Sequence, residues 1–225
     1  MIYFPITTVT NCFSDPDEIV KFANSLKYYK SNTGNFPNIR TKSLHEIDKN
    51  FFDKFIVSVL SLYYDFRYHD ITWKDAHVCF HKMKPYSKNI SDIRNKGWIH
   101  KDDCILVGLV YLNKKSRPDS GTSFYKPIIP IKNKDAINQK RSLYKKNTFN
   151  KKTYEKIYKN HSNKFVKIQT VKNVYNNLIV YGGNTWHSFD NMVVNQNEER
   201  LNLVFFIHGL KIDNIPLIRY NKYRI

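Results

Sequence analysis

The chain has 225 residues, 41% hydrophobic and 15% aromatic, which suits one domain with a sizeable core and is too apolar for a disordered polymer. Its formal charge of +18 admits nucleic acid or an acidic protein as a partner, but the abundance of Lys, Asn, Ile, Tyr and Phe is that of AT-rich coding sequence and accounts for much of the charge without any function. No apolar run reaches the length of a membrane span, Met1-Ile2-Tyr3-Phe4-Pro5 lacks the layout of a signal peptide, and Cys12, Cys79 and Cys104 have no CxxC spacing; a reduced cytoplasmic protein (host cytoplasm, if the source is viral) with no membrane partner is expected.

Asp15-Pro16-Asp17-Glu18 predicts a helix start, with Asp15 as N-cap, Pro16 in the first turn and Glu18 closing a capping box. Ile19, Val20, Phe22, Ala23 and Leu26 follow at helical spacing, and Asn35-Phe36-Pro37-Asn38 is a break. A second helix is expected over about 48–65, its core stripe formed by Phe51, Phe52, Phe55, Ile56, Val59, Leu60 and Tyr63.

From about Ala76 the texture turns to strands. Candidates run over 76–83, 105–112, 121–125, 165–170, 177–181 and 201–207, with a turn-rich stretch at 116–120. The apolar run Ile105–Leu112 has the pattern of a strand covered on both faces. The segment 132–164 interrupts the series. It is dense in Lys, Asn and Tyr, has room for one or two helices, and is expected to be a solvated helical excursion rather than a lid or basic docking surface. The layout predicts a single domain over 1–225: a helical part at 1–75, a β core at 76–208 carrying the insertion at about 132–164, and a tail at 209–225. The class is α+β, with N-terminal helices packed on a sandwich or jelly-roll core.

Within this frame one set of side chains carries chemistry. His100 and Asp102 flank Lys101, and in an extended segment residues two apart point to the same side, so both can reach one metal ion. Gly182-Gly183-Asn184-Thr185-Trp186-His187 places a second histidine after a turn at the end of a strand. Two imidazoles and one carboxylate are the facial ligand set of non-haem Fe(II) sites with open positions. Arg200 opens the last apolar strand, where alternation puts Leu201, Leu203, Phe205 and Ile207 on one face and Arg200, Asn202, Val204 and Phe206 on the other. A guanidinium there is either exposed at the strand end, paired with Glu198 or Glu199, or buried as a fork for a carboxylate.

Taken together, the pattern over roughly 98–208 resembles the Fe(II)/2-oxoglutarate-dependent oxygenase superfamily. It looks closest to the prolyl-hydroxylase-like branch, in which a Tyr-Leu-Asn strand and then a glycine-led strand follow the HxD pair, as Tyr111-Leu112-Asn113 and Gly121-Thr122-Ser123-Phe124 do here. Phe13-Ser14-Asp15-Pro16 and Phe36-Pro37-Asn38-Ile39-Arg40 are similar to small bacterial and phage-type members. The resemblance implies a double-stranded β-helix core, Fe(II) held by His100, Asp102 and His187, and 2-oxoglutarate held at its distal carboxylate by Arg200 and the Tyr111 hydroxyl. Asn202 stands where many relatives carry Ser or Thr as a further co-substrate contact. O2 would be the oxidant, succinate and CO2 the co-products, and ascorbate a supporting reductant.

Phe206 occupies the position of the second arginine of the alkylated-nucleic-acid demethylases, which argues against that sub-family, and Arg200 argues against the lysine-using Jumonji type. Trp98, Val107, Leu109, Phe124, Trp186 and Phe189 are candidate pocket liners. The main alternative is a non-catalytic basic jelly roll that binds nucleic acid. A cupin-like metal isomerase is a third reading.

Overall fold

The computed structural model describes residues 4–68, 70–146, 150–195 and 198–212. In chain order the elements are β1 (Thr7–Val9), α1 (Pro16–Ser25), β2 (Tyr29–Lys30), β3 (Ile39–Arg40), α2 (Leu44–Ile47), α3 (Lys49–Leu60), β4 (Ile71–Met83), β5 (Leu106–Tyr111), β6 (Thr122–Pro127), α4 (Asn133–Lys146), α5 (Lys151–Ser162), β7 (Phe165–Val171), β8 (Leu178–Gly182), β9 (Trp186–Phe189) and β10 (Arg200–Ile212). They form two antiparallel sheets. The larger has the order β1-β8-β5-β10-β4-β3-β2 and the smaller β7-β6-β9. Val107, Tyr111, Ile179 and Tyr181 of the large sheet pack with Phe124 of the small one.

The helical expectation for the first third holds only in part. Asp15 caps α1 through the Glu18 N–H (3.1 Å), but the Glu18 carboxylate pairs with Lys21 instead of closing a capping box. Asp48 caps α3, which buries Phe52, Phe55, Ile56, Val59 and Leu60 and stops at Leu60, short of the expected end. Three short strands also lie in this part: β1 forms one edge of the large sheet, and β2 and β3 extend the other.

β10 divides the molecule. Leu201, Leu203, Phe205 and Ile207 belong to the main core with α1 and α3. The opposite face carries Arg200, Asn202, Val204 and Phe206, which line a cavity. Cross-strand register extends that lining face onto β4, where His81 opposes Asn202 and His77 opposes Phe206.

The basic insertion corrects an expectation. It is no solvated excursion: α4 and α5 bury Ala136, Leu143, Tyr154 and His161 against the segment that leads into His100. The Trp98 indole donates to the Ala136 carbonyl (2.9 Å) and stacks on His161, whose Nε2 donates to the Ile99 carbonyl (2.7 Å). β10 runs on to Ile212, into the expected tail, and the rest of that tail (213–225) lies outside the described residues. Among the described residues the three cysteines are free thiols, and no helix is long and apolar enough to cross a membrane.

Candidate metal centre

His100 and His187 come from segments distant in sequence and meet through a two-way backbone bridge: each N–H donates to the other's carbonyl, at 3.1 and 3.0 Å. The Asp102 N–H donates to the Gly183 carbonyl (2.9 Å), which fixes the third residue to the turn between β8 and β9 that leads into His187. Gly183 is required for space rather than for dihedral freedom. A Cβ there would collide with the Cys104 carbonyl, so only glycine lets the turn before His187 lie against the His100–Cys104 segment.

The side chains then converge. His100 Nε2 lies 3.4 Å from Asp102 Oδ1, and His187 Nε2 lies 3.2 Å from Asp102 Oδ2. Each Nδ1 donates to a backbone carbonyl two residues earlier, that of Trp98 at 2.8 Å and that of Thr185 at 2.9 Å. A neutral ring that donates through Nδ1 has its lone pair on Nε2. Both lone pairs therefore face an acceptor carboxylate, an arrangement completed by a cation among the three groups. Among the described residues this is the one cluster of three or more such side chains that could hold a metal ion. Burial, aided by Lys140, pushes the His100 pKa down to about 4 and favours the neutral ring. Burial alone would raise the Asp102 carboxyl; positive charge on the two imidazoles would outweigh it and hold it well below the usual carboxylate range, the part a bound cation takes over when the rings are neutral.

Arg200 is fully buried and lines the same cavity. Its Nη1 donates to the carbonyls of Ser120 and Asn191, while Nη2 is buried with no partner. The guanidinium faces the rings of Tyr111 and Phe189, at 5.5 and 5.8 Å. In the amide orientation that satisfies both of its polar atoms, Asn202 accepts from Arg200 Nε at 3.2 Å. Asn202 thus positions the arginine. The expected direct contact of Tyr111 with a carboxylate in the cavity is not what the side chain is set up for: its hydroxyl donates to Thr122 Oγ1 (2.8 Å), and Thr122, not Tyr111, lines the cavity.

The cavity has a volume of about 850 Å³, within the usual small-molecule range. Of the expected liners, Val107, Leu109 and Phe189 do line it. Trp98, Phe124 and Trp186 instead belong to three separate packed clusters. Trp186 neighbours His187 on a strand and so faces the other way. Several lining groups escaped the sequence reading: Arg40, His77, His81, Lys140 and Tyr181. His77 and His81 had a usable signal, since residues four apart in a strand share a face. Lys140 is one of many lysines in its segment and had none.

Comparison with solved structures places this chain in a known fold. HygX from Streptomyces hygroscopicus, solved with nickel, 2-oxoglutarate and hygromycin B bound, aligns with a TM-score of 0.51 at 10% identity over 90% of this chain and 82% of that one. SnoN, a non-haem α-ketoglutarate-dependent epimerase from nogalamycin biosynthesis, aligns with a TM-score of 0.54 at 10% identity over 90% and 78%. A prolyl-4-hydroxylase of Pseudomonas putida aligns more loosely, at 0.44 and 10% identity over 91% and 92%, and does not decide the branch. No curated protein matches the sequence. A family model described as a family of unknown function, DUF6445, matches residues 4–198.

Proposed function

The chain belongs to the DUF6445 family of unknown function, and we propose that it is a Fe(II)- and 2-oxoglutarate-dependent dioxygenase that hydroxylates a C–H bond of an amino-acid, peptide or small-molecule substrate. The observation that carries this reading is the meeting, in one cavity, of a two-imidazole, one-carboxylate cluster with a buried guanidinium whose Nη2 has no partner. The fold shared with HygX and SnoN supports it. We read the paired sheets as the double-stranded β-helix of that superfamily, and the Tyr111-Leu112-Asn113 strand supports its prolyl-hydroxylase-like branch.

His100, Asp102 and His187 would hold the metal on one face, leaving the remaining positions open. When bound there, Fe(II) with 2-oxoglutarate and O2 supplies oxidative decarboxylation to succinate and CO2, coupled to oxidation of the substrate. The protein's own part is placement. The Trp98 and Thr185 carbonyls hold both imidazoles as Nδ1–H tautomers. Arg200 Nη2 receives the distal carboxylate of 2-oxoglutarate, while Ser120, Asn191 and Asn202 stop the guanidinium from turning. Tyr111 acts on that carboxylate through Thr122. No feature of the site favours the nucleic-acid-binding alternative, since Arg40, Lys140 and Arg200 are spent on the cavity wall rather than on an outer face.

The test is turnover. Protein supplied with Fe(II) and ascorbate should convert 2-oxoglutarate to succinate, even without its substrate. Asp102→Ala and His187→Ala should each bind no stoichiometric iron, and full metal content in both would refute the assignment.

A further inference from the structure

The cavity holds more positive charge than the proposed chemistry consumes. Fe(II), the Asp102 carboxylate, doubly charged 2-oxoglutarate and the Arg200 guanidinium cancel. Five further cations line the cavity, Arg40, Lys101, Lys134, Lys140 and Arg141, against one further carboxylate, Asp103; Lys134, Arg141 and Asp103 are exposed at its mouth, while Arg40 of β3 and Lys140 of α4 lie deeper. Among the described residues neither of these two makes an ion pair or a side-chain hydrogen bond, and Arg40 Nε is buried with no partner. Lys140 is only 8% exposed, and Arg40 is half-buried with its remaining guanidinium nitrogens toward the cavity it lines. Burial of an unpaired cation is costly, and a lysine on an ordinary helix face would reach water instead.

The surroundings fix these groups rather than neutralise them. The Arg40 guanidinium stacks over the Phe36 ring at 4.2 Å and lies 5.3 Å from the Phe206 ring, which offsets part of the desolvation and holds the fork in one plane. The two cations come from different elements, β3 of the large sheet and α4 of the basic insertion, lie near enough to act on each other, and are each close enough to Asp102 to feel its charge. The other titratable groups near them add charge of the same sign or none: His77 and His81 face Arg40 from β4, and Arg141 lies beside Lys140 on α4, while the remaining lining carboxylate, Asp103, is exposed to solvent and Asp102 is the one that acts on both cations. His81 already donates to the Pro37 carbonyl (2.7 Å), and burial and Arg40 keep it neutral.

We infer that Arg40 and Lys140 form a second anion-binding subsite, which takes a carboxylate or phosphate group of a small acidic substrate and positions it over the metal. This rests on the oxygenase reading for the word substrate, but the subsite stands on the unpaired cations alone. The bound anion would replace the missing counter-ion for both groups, with charge-assisted hydrogen bonds to the free guanidinium edge.

The experiment is a ligand-observed NMR titration of the full chain with benzoate, inorganic phosphate and benzamide, in the presence of Mn(II) and saturating N-oxalylglycine to fill the Arg200 end. Benzoate or phosphate should bind about tenfold more tightly than neutral benzamide, and Arg40→Gln and Lys140→Gln should each remove most of that preference. A preference for phosphate identifies a phosphorylated substrate, and one for benzoate a carboxylic acid. Arg40→Gln should also leave Tm unchanged or raise it, because it removes a charge that has no partner. If it fails to fold, Lys140→Gln still decides the matter. Equal binding of all three probes overturns the subsite, as does a preference that survives both substitutions or is lost only in Arg200→Gln. Mn(II)-dependent binding of N-oxalylglycine is read separately. Its absence, with Arg40-dependent anion binding intact, removes the oxygenase reading and leaves the subsite.

Discussion

Both imidazoles of the metal cluster and the guanidinium of Arg200 are tethered before anything binds. His100 and His187 are held by a reciprocal backbone bridge and by carbonyls on their Nδ1 atoms, and Arg200 by two carbonyls and an amide. Arg40 of β3, two strands from β10 in the same sheet, and Lys140 of α4 are by contrast half-buried and buried, respectively, without hydrogen-bonded partners among the described residues. The contrast separates groups organised by the fold from groups whose counter-charge must arrive with a ligand. Tethered side chains preserve a geometry that the metal only completes, which favours fast and specific binding. Untethered cations tolerate ligands of several shapes, so they suit recognition of a substrate more than chemistry on it.

The sharpest way to break the tethered wall is to separate its two histidines without touching either. Gly183→Ala places a methyl group against the Cys104 carbonyl, so the turn before His187 must leave the His100 segment. The expected result is a loss of metal affinity of about 100-fold and of roughly 3 kcal/mol in stability. Gly182→Ala, next door, meets nothing nearer than the Asn184 side chain at 3.2 Å and should cost far less. Metal titration and thermal melts of the pair would show whether close approach, rather than turn flexibility, is what the glycines supply; equal losses would remove that explanation.

A smaller effect tests the guanidinium. Arg200→Gln removes the fork but leaves the three metal ligands in place, so the KM for 2-oxoglutarate should rise about 30- to 100-fold, with iron content unchanged. Arg200→Lys keeps the charge without the planar fork and should fall between the two. Loss of iron in Arg200→Lys would mean that the two halves of this wall are one folding unit rather than two neighbouring sites.

What could be read from the sequence follows the same division. The two-residue period of strands exposed the face of β10 that carries Arg200 and Asn202, and the His100/Asp102 spacing, because alternation is a local property. Placing His187 beside them needed sheet topology: β9 pairs with β6, and only the bridge to His100 closes the cluster, which no local pattern encodes. The untethered cations were largely illegible. Arg40 sits on a two-residue strand too short to show a period, and Lys140 lies among many similar residues, so nothing local marks either as inward-facing. Sequence adjacency to a ligand also misled, since Trp98 and Trp186 are neighbours of His100 and His187 yet pack into clusters of their own.

The smallest effect concerns the joint between the basic insertion and the segment that carries His100. His161 ties α5 to the Trp98-Ile99 segment just before the metal centre, through its stack on Trp98 (ring centroids 4.0 Å apart) and its bond to the Ile99 carbonyl. Burial, with Lys164 adding to it and the Ile99 carbonyl opposing, depresses its pKa from 6.5 to about 4. A folded-state pKa below the unfolded one means that the folded protein binds fewer protons in that window, so this contribution is full above pH 6.5 and is lost as pH falls toward 4. The loss should be on the order of 2 kcal/mol, local to the insertion. Hydrogen exchange should therefore accelerate across 151–162 between pH 7 and pH 4.5, after correction for intrinsic rates, before the sheets loosen. His161→Gln, which can still donate to Ile99 but cannot become charged, should flatten that dependence. If wild type and variant lose protection in parallel, the insertion is held by Leu143 and Tyr154 against Trp98, and the histidine contributes only shape.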